Sequence, residues 1–279
     1  MGNIREIGKG RHGGTMKDEM LAIISNVKDP AQKLNVLREY IQALTLRSLH
    51  ESEAFACLSF VGGTALRFVF NLPRFSEDLD FSLEKAIGYA PEEWMKKLKN
   101  DLSLSGFGVS VSWNDKTTVH KAWIKVSEVL KDAGLAAMRD QKLSIKLEVD
   151  TRPPTGGISN NVMITRHRVM AIRHYDMPSL MAGKLHALLT RKYPKGRDWY
   201  DFLWYMGHRP PVEPNLTQLQ NALDQTEGKD AFKADEWRQN VRTKIESIDC
   251  GKLADDVQPF LERPEDASLL NLQNIQSVV

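Results

Sequence analysis

Cysteine is scarce in this chain: Cys57 and Cys250 are the only two among 279 residues. Two thiols build no disulfide framework and, alone, no zinc site. A reducing cytoplasm is the expected compartment. No apolar run approaches the roughly 20 residues that a membrane helix needs, so no membrane partner is expected. Met1 to Lys17 is polar and glycine-rich. It lacks the apolar stretch of a secretory leader. No Walker-type phosphate loop and no nucleophile elbow is present. Gly8 to Gly14 is rich in glycine, but no strand precedes it. His120, His167 and His174 show no metal-ligand spacing, and His186 reads as packed or capped within its helix. What remains is the composition of an ordinary globular protein, 42% hydrophobic and 27% charged, long enough for one large core or two smaller ones.

Charge is unevenly distributed. Arg166 to Arg209 holds nine Lys/Arg against three Asp, whereas Pro210 to Val279 holds seven against thirteen Asp/Glu. A basic middle segment can face phosphates. Residues 166–209 are therefore expected to form a basic surface for a phosphate-bearing partner such as RNA, with Arg191, Lys192 and Lys195 as its contacts.

Residues 1–16 read as a flexible tail. Asp29-Pro30 is an N-cap followed by proline at the first helical position, and the spacing of Leu34, Leu37, Ile41 and Leu44 predicts a helix over 30–51. Cys57 to Val61 reads as a buried strand, broken by Gly62-Gly63. Thr64 to Leu72 reads as a helix and Leu79 to Leu83 as a strand. A helix over 91–105 follows, then strands over 107–113, 119–130 and 143–150, with a hairpin or two edge strands over 158–174. Helices are predicted over 177–191 and 198–207, and helical pattern continues to the end. A strand-rich half followed by a helical half places a boundary near 175: a catalytic domain over 17–175 and a helical domain over 176–279.

The chemistry concentrates in two stretches, Val61-Gly62-Gly63-Thr64 and Arg74-Phe75-Ser76-Glu77-Asp78-Leu79-Asp80. Carboxylates at i and i+2 of a strand point the same way. Asp78 and Asp80 can therefore share one or two divalent ions. Magnesium prefers such hard oxygens and keeps contact with substrate phosphates, and two ions can stabilise the attacking and leaving oxygens of an in-line phosphoryl transfer. Manganese is the substitute expected at such a site. Glycines let a backbone approach phosphate closely, here just before a helix whose first amides attract anions. Thr64 and Ser76 offer hydroxyls to a triphosphate. A bare Asp-x-Asp is more often a solvated turn; the succession strand, Gly-Gly, helix, Asp-Leu-Asp is far more specific.

Lys146-Leu147-Glu148-Val149-Asp150 supplies a third carboxylate. Glu148, between two apolar residues as Asp80 is, is preferred over Asp150; a plain Lys146–Glu148 ion pair is the alternative. Lys184 lies among apolar residues of a helix, where it is costly to bury unless it meets an anion. It can hold the β- and γ-phosphates. Asp198 and Asp201 share a helical face, and Asp198 can orient Lys184 or Arg197. The alternative is a salt-bridge cluster that only pins two helices.

Phe60-Val-Gly-Gly-Thr-Ala-Leu, Arg74-Phe-Ser-Glu-Asp-Leu-Asp-Phe, Lys146-Leu-Glu-Val-Asp, Ala182-Gly-Lys-Leu-His-Ala-Leu and Arg197-Asp-Trp-Tyr-Asp-Phe occur in that order. Together they resemble the AbiEii/MenT family of nucleotidyltransferase toxins, in the polymerase-β-like superfamily, over residues 30–207. The resemblance implies an α+β fold: a mixed sheet flanked by helices, then a helical C-terminal lobe. It implies transfer of a nucleotide from NTP to an acceptor of the tRNA 3′-end kind, and an antitoxin partner. Functional residues carry over to Gly62, Gly63, Asp78, Asp80, Lys184 and Asp198. Two positions depart from the family pattern: Glu148 stands where Asp is frequent, and Gly-Gly-Thr replaces the Gly-Ser of many relatives. The competing readings are nucleotide transfer to a protein hydroxyl and a catalytically silent nucleotide- or RNA-binding module.

Overall fold

The computed structural model describes residues 14–138, 140–229 and 231–279. Most of the expected tail lies outside them. Its last residues do not belong to a tail: Thr15 caps helix α1 (Met16–Ser25) in a reciprocal capping box with Asp18, which satisfies two otherwise orphan donors. Met20 and Ile24, one turn apart, bury completely.

Asp29 accepts from the Gln32 amide at 2.7 Å and starts α2 (Pro30–Glu51). The chain then forms β1 (Leu58–Val61), α3 (Gly62–Phe70), β2 (Leu79–Leu83), α4 (Pro91–Leu104), β3 (Gly108–Asn114), β4 (Val119–Ser127), the single turn α5 (Val129–Asp132), β5 (Leu143–Asp150), β6 (Ser159–Ile164) and β7 (Met170–Tyr175). Helix α3 starts at Gly62 rather than Thr64, so both glycines belong to its first turn. Strand β4 stops short of 130 because Glu128 takes a left-handed backbone, φ 65°.

The seven strands form one mixed sheet in the order β3-β4-β5-β2-β1-β7-β6. Strand β2 runs antiparallel to β1 and parallel to β5, and β1 runs parallel to β7. The fold is the expected α+β arrangement. On β4 and β5 alternate residues are buried, Ala122, Ile124 and Val126 with Ile145, Leu147 and Val149, and the intervening ones face outward, as strand geometry dictates.

After β7 the chain is helical: α6 (Met177–Thr190), α7 (Gly196–Met206), α8 (Leu216–Glu227), α9 (Trp237–Glu246), α10 (Cys250–Val257) and α11 (Leu272–Ser277), with short 3₁₀ turns between. Trp199, Phe202 and Trp237 pack edge to face, the preferred arrangement of aromatic pairs. The C-terminal chain returns to the loop before β2: Phe75 N–H donates to the Phe260 carbonyl at 2.7 Å, and Glu262 N–H to the Pro73 carbonyl at 3.2 Å. Helices and strands share one continuous hydrophobic core. No helix among the described residues is long and apolar enough to cross a membrane.

Candidate active site

Strand pairing brings the sequence-predicted groups to one end of the sheet. Asp80 stands in register between Val61 of β1 and Glu148 of β5. Gly62 has φ 76°, and a Cβ there would collide with the Asp80 carboxylate. A Cβ at Gly63 would lie 2.8 Å from Arg74 Nη2 and 2.9 Å from Ser76 Oγ. Both glycines therefore make room first for side chains of the acidic loop.

That loop is pinned from four sides. Arg74 is buried and grips Asp201 of α7 with two bonds of 2.6 Å. Gln42 of α2 donates to the Ser76 and Glu77 carbonyls at 3.1 and 2.9 Å. Glu77 meets Arg197 at 3.0 Å and Arg38 at 3.5 Å. Thr64, fully buried, donates its hydroxyl to the Asp78 carbonyl. The Thr64 hydroxyl, expected to face a triphosphate, is instead withdrawn from solvent and holds the acidic loop.

Asp80 carries the strongest electrostatic signal of the site. Burial first, then the neighbouring Asp78 and Glu148 charges, push its carboxyl up to about 6, against the pull of Lys184 and Lys146. Desolvation and like charges both disfavour ionisation. Lys146 lies 3.3 Å from Asp78 and 2.8 Å from Glu148, and Lys121 lies 3.3 Å from Glu148. Despite burial, which would raise it, the Lys146 and Lys121 bonds hold the Glu148 carboxyl below the usual range. The Lys146–Glu148 ion pair, set out above as the alternative, is thus present. Asp150 pairs in register with Ser82, and Asp80's acidic neighbours are Asp78 and Glu148.

A lysine ammonium drawn between Asp78 and Glu148 shows that this donor set attracts a cation. Asp78 and Asp80 are hard oxygen donors and fit magnesium. Glu148, the third expected carboxylate, stands beside Asp80 and bonds to Lys146 and Lys121; among the described residues no three His, Cys, Asp or Glu side chains are arranged to hold a metal ion.

Across the cleft stand cations. Lys184 of α6 reaches Asp201 at 2.8 Å and Asp198 at 3.3 Å, and Arg191 also pairs with Asp198. Against burial, Arg74 and Lys184 hold Asp201 below the usual carboxylate range. Asp198 thus orients Lys184 and Arg191. It does not orient Arg197, which pairs with Glu77 and stacks over Phe260 at 4.3 Å. The cluster does pin α6 to α7, and it also aims Lys184 into the cleft.

Two cavities meet at Gly63, Asp80, Lys184, Arg191 and Asp198. One, about 100 Å³, is polar and also lined by Ser76, Asp78, Lys195 and Arg197. The other, about 490 Å³, runs between the sheet and α8 and is lined by Tyr175, Leu180, Ala187 and Ala222 among others. The first suits phosphates, the second a nucleoside. His186 lines the wide cavity and bonds Thr226 at 2.8 Å.

The basic segment does not form one surface. Arg166 and His167 meet Glu39 of α2, and Arg168 meets Glu19 of α1. Arg191 and Lys195 line the polar cavity, while Lys192 lies over Tyr193 beside a separate groove. Sequence reasoning left Arg74 without a role, gave Arg197 only as a partner for Asp198, and gave Asp201 none beyond its helical face. The i, i+3 spacing of Asp198 and Asp201 was the available signal for that last residue.

A family profile described as nucleotidyl transferase AbiEii toxin, type IV toxin–antitoxin system, matches residues 44–271. Among solved structures, JHP933 from Helicobacter pylori is 18% identical with a TM-score of 0.50, over 87% of this chain and 92% of that one. A second H. pylori structure, of a candidate nucleotidyltransferase, is 19% identical with a TM-score of 0.50, over 85% and 93%. At such identity the likeness is one of fold. No curated protein matches.

Proposed function

This chain belongs to the AbiEii family of nucleotidyltransferase toxins, and on that premise we propose that it moves a nucleoside monophosphate from an NTP to the 3′ end of an RNA, a tRNA above all. The observation that carries this reading is the opposition at one cleft of Asp78 and Asp80 to Lys184 and Arg191. Acids on one wall and cations on the other match a metal-bound triphosphate, which presents both charges.

Asp78 and Asp80 would hold magnesium, with manganese as substitute. Bound there, the ion neutralises phosphate charge and favours an ionised attacking hydroxyl. Lys184, fixed by Asp198 and Asp201, holds the β- and γ-phosphates, with Arg191 and Lys195 beside it. The α6–α8 cavity takes the base and ribose. The acceptor 3′-oxygen bonds to the α-phosphorus, the bond from that phosphorus to the bridging oxygen breaks, and pyrophosphate leaves with that oxygen. Glu148, next to Asp80, takes the hydroxyl proton. The strand-bearing part, 17–175, contributes the acids and the helical part, 176–279, the cations. A cognate antitoxin would restrain the activity.

The test is incubation with each labelled NTP, Mg²⁺ and total RNA. Label on RNA is expected. Label on protein would move the acceptor to a side-chain hydroxyl, and label nowhere would leave a binding module.

A further inference from the structure

The face of the sheet that carries Asp80 and Glu148 does not end at the cleft. It continues across β5, β4 and β3 as an open surface. On β4 the outward residues are Lys121, Trp123 and Lys125, all exposed. Their strand neighbours Ala122, Ile124 and Val126 are fully buried, so the register of the three is fixed: a slip of one residue would put lysines in the core. Trp123 is 43% exposed. It pairs across strands with Lys146, and Lys121 pairs with Glu148, which in turn pairs with Asp80. On the outer side Trp123 faces Ser112 of β3, and Lys125 faces Ser110. These small side chains leave the indole uncovered.

We propose that this face is the platform for the single-stranded 3′ end of the RNA acceptor: Trp123 stacks a base, and Lys121 and Lys125 take the flanking phosphates. The inference rests on the RNA reading above and adds where that RNA lies. Two features select this occupant. The first is charge: Lys121 and Lys125 stand exposed on either side of the indole on β4, with Lys121 sharing the Glu148 carboxylate with Lys146, and such a pair of cations complements a phosphate backbone. The second is continuity. Strands lie about 4.8 Å apart, so Trp123 sits roughly 10 Å from the Asp80 strand, one to two nucleotides from the reacting hydroxyl. An aromatic flanked by cations on an open sheet is the arrangement that binds single strands through stacking plus backbone contacts. The cavities assigned to the triphosphate and nucleoside are lined by Lys184 and Arg191 and by no residue of β3 or β4, so the two substrates meet at Asp80 from different walls.

The experiment is fluorescence anisotropy of a labelled single-stranded RNA of about eight nucleotides, titrated with the full chain at several salt concentrations. Transfer kinetics and melting curves with Mg²⁺-NTP accompany it. Trp123→Ala is expected to weaken RNA binding on the order of tenfold and to raise KM for RNA, with KM for NTP and the Mg²⁺-NTP melting shift unchanged. Trp123→Phe should recover most of the loss. Lys121→Ala with Lys125→Ala should flatten the salt dependence by about one to two phosphates. Wild-type RNA affinity and KM in Trp123→Ala overturn the platform while leaving the RNA reading standing. A wild-type chain that binds no RNA and labels none overturns both. Transfer to protein that Trp123→Ala abolishes assigns the face to a protein acceptor and overturns it too.

Discussion

Glu39, buried, and Asp80, half-buried at the cleft, are both partly or wholly desolvated carboxylates, and their surroundings treat them oppositely. Glu39 lies on α2, 5% exposed. It is met by Arg67 at 2.6 Å, His167 at 3.1 Å and Arg166 at 3.4 Å. Burial would raise its carboxyl, but the His167 bond and the two guanidinium groups hold it down at about 2. Asp80 is pushed up to about 6 by burial and by two further acids. Burial is common to both, so it does not decide the outcome; the sign of the neighbours does. A compensated acid holds α2, α3 and the β6–β7 turn together. An acid left short of positive charge is poised to take a cation or a proton, the condition expected at a functional site.

The same isosteric change should therefore act oppositely in the two places. Asp80→Asn is expected to lower nucleotide transfer by on the order of 10³-fold, since a lost metal ligand removes several kcal/mol of transition-state stabilisation. The metal-free protein should melt higher, because ionising a carboxyl with a pKa near 6 costs the folded state up to about 3 kcal/mol at pH 7. Mg²⁺-NTP should then raise the wild-type melting temperature far more than the variant's. Glu39→Gln is the converse. It leaves Arg67 and Arg166 without their buried counter-charge, and stability should drop by about 3 kcal/mol in urea titration. The Mg²⁺-NTP shift should persist. A destabilised Asp80→Asn that keeps full activity would erase the contrast.

Acidity sharpens the comparison without mutation. The folded pKa of Glu39, about 2, lies below its ordinary 4.5. Its contribution is present above 4.5 and lost as pH falls toward 2. The folded pKa of Asp80, about 6, lies above its ordinary 3.8. The native state then binds the proton more tightly, so this group favours folding at low pH and that advantage is lost as pH rises from 3.8 to 6. The stability of Asp80→Asn relative to wild type should accordingly grow between pH 4 and 6 and level off above. A difference that stays flat across that range would remove the raised carboxyl.

The two clusters also differ in how far they could be read from the chain. Asp80 and Glu148 announce themselves through strand alternation, a local pattern, and Asp78, in the loop just before β2, through its spacing from Asp80; β5 and α2 begin and end where alternation, capping and proline placed them. Glu39 carries no such mark: Arg67, Arg166 and His167 come from 28, 127 and 128 residues away. The Arg74–Asp201 pair spans 127 residues and was silent for the same reason. Helix α1 was legible and missed. Thr15 and Asp18 form a capping box, and Met20 and Ile24 share a face, but the glycines before them suggested a tail. Thr64 and Glu148 were recognised as residues of the site, and their partners were not: the Asp78 carbonyl and Lys121 become neighbours only when the sheet closes.

The smallest expected effect concerns Lys146, the cation that partly levels the two clusters. Its ammonium lies between Asp78 and Glu148 and is one of two charges that restrain the Asp80 carboxyl. Lys146→Met removes that charge and keeps most of the stem. The ion pairs are partly exposed, so the loss of stability should stay within about 1 kcal/mol. The consequence for metal is larger. A lysine and a divalent ion compete for the same oxygens, and without Lys146 Asp78 is released and only Lys121 still holds Glu148. The Mg²⁺ concentration for half-maximal transfer should fall by roughly two- to tenfold, a change of up to about 1.4 kcal/mol in metal binding. The maximal rate should change little. Transfer measured against Mg²⁺ concentration separates this from the other role a lysine can play here. If Lys146 instead contacts a substrate phosphate, no amount of Mg²⁺ restores the rate, and KM for NTP or RNA rises. That outcome would turn Lys146 from a placeholder into part of the substrate grip, and Glu148 from a restrained acid into the anchor that aims it.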